Sequence, residues 1–372
     1  MDKIRGVNLG NWLVLEKWMD KGLFEGTTAE DETDLCLQLQ DEKYARLKKH
    51  RDTYITESDF VRIRNHGFNA IRLPVPHFIF NDCLPYVGCI EYVDMALEWA
   101  GRHGLKILID LHTAPDSQNG FDNGGICGVC KWHTNPENIG RTLEILEKLA
   151  SRYKNNSALY GIEMLNEPVS EELWMKTRLN YLPSDKERAK GSCAAPLEIL
   201  FDFYKRGYDA IRRHLDEDKA VMFHDGFRLK AWKDFMREPE YKNVVLDTHL
   251  YLGMGVRQRP GHDRELADYL RTALNEYGDD ISEMSEFFPI VIGEWCIAHY
   301  PTGLDELPAW RKSLSYRAMA DVQLFVWERV LGWYFWSYKL NEDVPGWDLR
   351  KCMEKAWFPD HLGEKAIEEA GL

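Results

Sequence analysis

Two apolar runs in this chain each end in a glutamate. In Gly161-Ile-Glu-Met-Leu-Asn-Glu-Pro168 the apolar residues lead into Asn166-Glu167-Pro168, and Ile290-Val-Ile-Gly-Glu-Trp295 leads into Glu294. Proline breaks a strand and biases the residue before it toward extended backbone, so Glu167 is expected extended, at a strand terminus. Two carboxylates at the ends of different parallel strands are what double-displacement glycoside hydrolysis requires. One attacks the anomeric carbon. The other protonates the leaving oxygen and then deprotonates water, with the pair about 5–5.5 Å apart for retention. Either glutamate alone reads equally well as a strand-end salt bridge. Their joint placement favours chemistry.

Further polar and aromatic groups fall at the ends of other apolar runs. Arg72, in Asn69-Ala-Ile-Arg-Leu-Pro74, is suited to holding a carboxylate ionised by charge-assisted hydrogen bonds. Its bland alternative is a partner for a structural acid. His112 closes Ile107-Leu-Ile-Asp-Leu-His112, and His249 and Tyr251 end another run. A lone histidine is usually a satisfied core residue, but two at equivalent strand ends invite a functional reading. Trp336 offers an indole face to the C–H surface of a sugar, with core packing as the equal alternative. A metal-dependent reading would use Asp110, His112 and His249, and Cys127-Gly-Val-Cys130 with His133 would be a second ligand source. A closed zinc site needs four ligands, so that spacing is weak support and no metal or cofactor is expected.

Positioning these groups takes a frame of repeated βα units. Short apolar runs at 5–10, 68–75, 106–112, 159–165, 220–223, 244–249, 290–293 and 333–338 alternate with amphipathic stretches of helical length. Eight strands are the number a closed (β/α)8 barrel requires, and 372 residues suit one such domain, 1–372, carrying loop insertions. Thr56-Glu-Ser-Asp59 reads as a capping box, and a helix over 90–103 stops at Gly104. Further helices are expected over 197–215, 262–277 and 313–330. Insertions at 16–49, 113–135 and 168–196 all follow strand C-termini, the face on which barrels build active sites.

Composition excludes several other classes. A net charge of −14 is unsuited to nucleic acid or an anionic membrane surface, and no apolar run reaches the ~20 residues that cross a bilayer. The first residues show no apolar signal region, which leads to a cytoplasmic expectation. The 13 Trp and 17 Tyr supply stacking platforms for sugars, although most such rings serve packing.

Several segments together resemble glycoside hydrolase family 5, and more narrowly its exo-β-1,3-glucanases. They are Gly6-Val-Asn-Leu-Gly-Asn-Trp-Leu-Val-Leu-Glu16, Phe68-Asn-Ala-Ile-Arg-Leu-Pro74 and Ile109-Asp-Leu-His-Thr-Ala-Pro-Asp-Ser-Gln-Asn-Gly-Phe-Asp-Asn123, followed by Leu165-Asn-Glu-Pro168, Gly293-Glu-Trp295 and Phe335-Trp-Ser-Tyr-Lys339. The resemblance implies a retaining β-glucosidase acting on β-linked oligosaccharides or β-glucosides, with Glu167 as acid/base and Glu294 as nucleophile. It implies that Asn166 contacts the sugar 2-hydroxyl, that Arg72 and Tyr251 hold Glu294, and that His112 and His249 line the site. Glu16 would receive hydroxyls at the nonreducing end, Trp336 would floor that subsite, and Phe121 would clamp the next sugar. The partner of that clamp is replaced near Met254. On this scheme Glu294 repels a charge on Glu167 and raises its pKa, while Arg72 keeps that of Glu294 low.

Overall fold

The computed structural model describes residues 3–252, 266–298, 304 and 307–362. Eight parallel strands close into a barrel in chain order: β1 (Ile4–Asn8), β2 (Ala70–Val75), β3 (Lys106–Leu111), β4 (Leu159–Glu163), β5 (Ala220–His224), β6 (Val244–His249), β7 (Ile290–Trp295) and β8 (Gly332–Phe335). The eight expected runs are these eight strands. Nearly every strand residue is buried, because one face meets the barrel interior and the other the helices. The strand ends depart from expectation where the chain turns into the site. β4 stops at Glu163 rather than 165, and β8 stops at Phe335.

Inside the barrel, Leu108, Met222, Val245, Val291 and Tyr334 form an apolar plug nearer the strand starts. A much larger core lies between strands and helices. Above the plug the inward positions turn polar, with Asn8, Arg72, Asp110, Glu163 and Asp247 all buried. The fold therefore presents a layer of charge beneath the C-terminal mouth.

The helices follow local signals closely. In Glu57–Asn65 the Thr56 side chain caps the start, and the Asp59 carboxylate accepts from Thr56 N at 2.9 Å. Ile90–His103 stops at Gly104, whose φ of +67° suits a residue without Cβ. Pro136–Tyr153 was not among the expected helices, yet it opens on Asn135-Pro136 and buries Ile139, Thr142, Leu146 and Leu149 at helical spacing. The stretch expected at 262–277 is described only from Leu266. There it runs as Leu266–Arg271, a π-helical Thr272–Tyr277, then Gly278–Met284. The last expected helix is Ala309–Trp327.

The insertions are structured. Residues 16–49 hold Glu32–Leu39 and the start of Glu42–Tyr54 over a small core of Leu15, Phe24, Leu35, Leu47 and Phe78. Residues 168–196 hold Glu171–Thr177, capped by Ser170. Among the described residues no helix is long and apolar enough to cross a membrane.

Candidate active site

Arg72 projects from β2 into the polar layer, fully buried, and donates four hydrogen bonds. Its Nη1 donates to Glu294 Oε1 at 2.7 Å and to Asn8 Oδ1 at 3.1 Å, Nε to Glu163 Oε2 at 2.8 Å, and Nη2 to Asn166 Oδ1 at 2.8 Å. Asp110 Oδ2 lies 3.1 Å from Nη2. One guanidinium thus faces several acids, and its fixed fork of donors suits that geometry where a lysine would not. Burial pushes the Glu163 carboxyl well up, with Asp247 and Asp110 adding to it, and Arg72 offsets only part of the rise.

Glu294, on β7, also accepts from Tyr251 OH at 2.6 Å. Register places His249 of β6 opposite Glu294. The preceding Gly293 gives its N–H to Asp247 Oδ1 at 2.6 Å, and a Cβ there would collide with that same carboxylate. Glycine is required because Asp247 occupies the space a side chain would need.

Glu167 lies beyond the end of β4 and differs from expectation in conformation. Its φ is +44°, left-handed rather than extended. Such a conformation costs a residue with a Cβ on the order of 1–3 kcal/mol and persists only where neighbours fix it. Here Asn166 N donates to Leu111 O at 3.0 Å, and Gln118 Nε2 donates to Asn166 O at 2.9 Å, fastening the turn from both sides. The turn aims Glu167 at His249, whose Nδ1 lies 2.7 Å from Glu167 Oε1, and Asn123 Nδ2 donates to Glu167 Oε2 at 3.2 Å. His249 Nδ1 is also 3.5 Å from Glu294 Oε2. Those two spans limit the Glu167–Glu294 oxygen separation to about 6 Å.

The electrostatics reverse the expected order. Burial raises Glu167, but the hydrogen bond and charge of His249 outweigh it and bring the carboxyl down to about 2. Burial raises Glu294 above its ordinary value, with His249 and Arg72 only partly offsetting it. His249 itself is raised well above the ordinary imidazole value, since Glu294, Asp247 and Glu167 overcome its desolvation. Geometry says the same, because Nδ1 faces Glu167 and Nε2 faces Asp247 at 3.2 Å. The expectation considered Glu294 as the main neighbour of Glu167, but an imidazolium stands between them. These shifts and contacts favour a charge-assisted pair, Glu167 as carboxylate and His249 as imidazolium.

A cavity of about 740 Å³ opens over both carboxylates. Glu16, Trp18, Trp336, Tyr251 and Trp347 line it, as do Phe121, Asn123, Tyr181 and Phe227. Trp18 Nε1 donates to Glu16 Oε2 at 2.8 Å, whereas Glu16 Oε1 is buried with no hydrogen-bond partner among the described residues. Burial pushes the Glu16 carboxyl well up, with Asp122 adding to it. Trp336 stacks on His112 with centroids 5.6 Å apart, and its peptide bond to Ser337 is cis. His112 Nε2 is 3.4 Å from Asn166 Nδ2. Every site residue expected from the sequence therefore reaches this cavity or the hydrogen-bond network under it. Met254 lies outside the described residues.

A family model described as cellulase (glycosyl hydrolase family 5) matches residues 38–341. The chain belongs to that family. This family 5 member is thus a glycoside hydrolase. It is 33% identical to a probable glucan 1,3-beta-glucosidase A of Aspergillus terreus, covering 96% of this chain and 88% of that one. With the glucan 1,3-beta-glucosidase 1 of Schizosaccharomyces pombe the identity is 32%, over 98% and 89%. Among solved structures, the rutinosidase of Aspergillus niger superposes with a TM-score of 0.77 at 20% identity, over 96% and 98% of the two chains. Endoglucanase Cel5A of Thermotoga maritima gives 0.57 at 18%, over 95% and 96%. At those identities the structural likeness speaks for the fold.

In this family 5 barrel the alternative ligand set separates. Asp110 bonds His112 Nδ1, while His249 bonds Glu167 and Asp247. Among the described residues the ligand-like triples are Glu167–His224–His249 and Glu163–Asp247–His249, both using a histidine whose ring nitrogens already face carboxylates. Cys127 and Cys130 are free thiols and form no such group with His133. Sequence reading passed over Asn8, Glu163, Asp247, His224, Trp18, Asn123 and Tyr181. For Glu163 and Asp247 the signal was present, since a charged residue inside a fully buried apolar strand must have a partner. Trp18, Asn123 and Tyr181 sit on loops, where no periodicity marks them.

Proposed function

We propose that the chain is a retaining, exo-acting β-glucosidase that hydrolyses β-1,3-linked gluco-oligosaccharides or related β-glucosides, with Glu294 as nucleophile and Glu167 as acid/base. The observation that carries this reading is the short bridge through His249, which keeps the nearest carboxylate oxygens within about 6 Å. That bound is compatible with the roughly 5–5.5 Å between carboxyl groups that direct attack requires. The names of the fungal relatives support the β-1,3 preference.

In the first step Glu294 attacks the anomeric carbon, its lone pairs oriented by Arg72 and Tyr251. The leaving oxygen takes a proton from Glu167, which His249 first supplies across their 2.7 Å hydrogen bond. Substrate drives that transfer. Excluding water as the sugar binds disfavours the separated charges of the Glu167–His249 pair, so the proton moves onto Glu167 while Glu294 is still the attacking anion. Glu167 then accepts a proton from the water that frees the sugar. Asn166, held by Arg72, is placed to meet the 2-hydroxyl, a contact that strengthens at the oxocarbenium-like state. The unpartnered Glu16 Oε1 supplies an acceptor for a hydroxyl at the nonreducing end, which favours exo action.

The test is a hydrolysis panel of β-1,3-, β-1,4- and β-1,6-linked disaccharides, laminari-oligomers and aryl glucosides, with the first product's anomer read by proton NMR. Glucose released singly as the β-anomer is the expected result. Mid-chain products would remove the exo reading, and an α-anomer would remove retention.

A further inference from the structure

The chain beyond Glu167 builds an apolar surface that neither carboxylate uses. Val169, two residues on, packs with Phe121, Leu173 and Trp174 in a small core of its own, with Tyr181 and Phe227 half-buried against it. The rings of Phe121 and Tyr181 lie 4.9 Å apart. Phe121, Leu173, Tyr181, Phe227 and Leu229 all line the cavity. They line it on the side of Glu167. Asn123, two residues from Phe121, bonds that carboxylate, and Phe227 meets the edge of His224, which in turn packs on His249.

The surface continues outward along the same insertion. Leu179 and Leu182 are 74% and 68% exposed, and Asn180 and Tyr181 between them line the cavity. Exposed apolar side chains are ordinary on a surface, and these two gain weight only from the cavity-lining residues between them. Several polar groups on this side are engaged elsewhere among the described residues. The Thr177 hydroxyl donates to Leu173 O, Asp225 accepts from Thr248 and from Phe227 N, and Asp280 pairs with Lys230.

We propose that the 168–196 insertion forms a leaving-group site that also takes an apolar aglycone, so that β-glucosides of long alkyl or aryl alcohols are preferred over methyl β-glucoside. This rests on Glu167 being the acid, since the group that protonates the leaving oxygen stands beside the leaving group. The C1–O bond breaks, the alcohol departs with the proton of Glu167, and water completes the release of glucose.

The test compares kcat/KM for methyl, hexyl and octyl β-D-glucosides, below micelle-forming concentrations, and for laminaribiose. A rise of about ten-fold or more from methyl to octyl is expected, because each methylene covered adds to transition-state binding. The octyl-to-methyl ratio should fall by about five-fold or more in Tyr181→Ala and in the Leu179→Ser/Leu182→Ser double variant, a ratio insensitive to how much enzyme is folded. A flat series overturns the aglycone site and leaves the β-glucosidase reading standing. Absence of glucose release from every β-glucoside tried overturns that reading as well.

Discussion

The two carboxylates face one cavity but are held by different chemistry. Glu294 sits among fixed donors, Arg72 and Tyr251, and beyond Tyr251 a run of rings leads through Trp347 and Trp18 to the Glu16 carboxyl. Glu167 sits against a mobile proton on His249, and beyond it the lining turns to Phe121, Tyr181, Phe227 and leucines. A nucleophile must keep a constant charge and orientation, which rigid donors supply. An acid/base must change its charge twice per turnover, which a neighbour with an exchangeable proton supplies. The wall each carboxylate shares with its substrate follows suit, polar-tipped aromatics for a sugar on one side and apolar groups on the other.

The largest break in this contrast should come from Glu294→Gln, which keeps the shape and removes the nucleophile. Turnover should drop by about 10⁴-fold or more, with no labelling by a slow 2-fluoroglucoside as followed by intact mass. On the other side, Glu167→Ala should lose about 10³-fold on alkyl glucosides and far less on substrates with activated phenol leaving groups. Azide should restore its activity and yield the β-glucosyl azide, and an α-azide would reverse the assignments. Arg72→Lys retains a charge but not the fork that joins Glu294, Glu163 and Asn166. It should reduce kcat by about 10²-fold and destabilise the fold by roughly 3 kcal/mol, as partial breakage of a buried ionic network does. Thermal unfolding alongside kinetics separates the two effects.

The pH profile sharpens the contrast further. Activity needs Glu294 ionised, and burial has raised its pKa, so the acid limb of kcat/KM should lie above the ordinary glutamate value of about 4.3. Activity also needs one proton on the Glu167–His249 pair. That proton is lost only as pH climbs through the raised value of His249, so the alkaline limb should lie above the ordinary imidazole value of about 6.5. In His249→Asn the proton must rest on Glu167 itself, and the alkaline limb should move down by about one unit or more. An unmoved limb would show that His249 does not hold the proton. The smallest effect is expected from Trp18→Phe. It removes one hydrogen bond to Glu16 at the sugar end and should cost about ten-fold in kcat/KM while sparing the pH profile.

The barrel was legible because each strand is an apolar run long enough to be buried on both faces. Burial of that kind depends on local composition and on little else. Glu167 and Glu294 were legible for the same reason, as carboxylates just past such runs, and Arg72 as a cation within one. The sequence by itself determined the alternation of elements, the capped helix starts and the identity of the groups gathered at the barrel mouth. Tertiary structure alone decided their states. The left-handed turn at Glu167 exists because Leu111 and Gln118, from elsewhere in the chain, fasten it against the extended preference of a residue before proline. Likewise Glu167 and His249 form a charge-assisted pair because β6 inserts an imidazole between two acids whose order along the chain gives no hint of it. Charges interact through distance in a desolvated interior, and distance across a barrel is set by closure of the sheet.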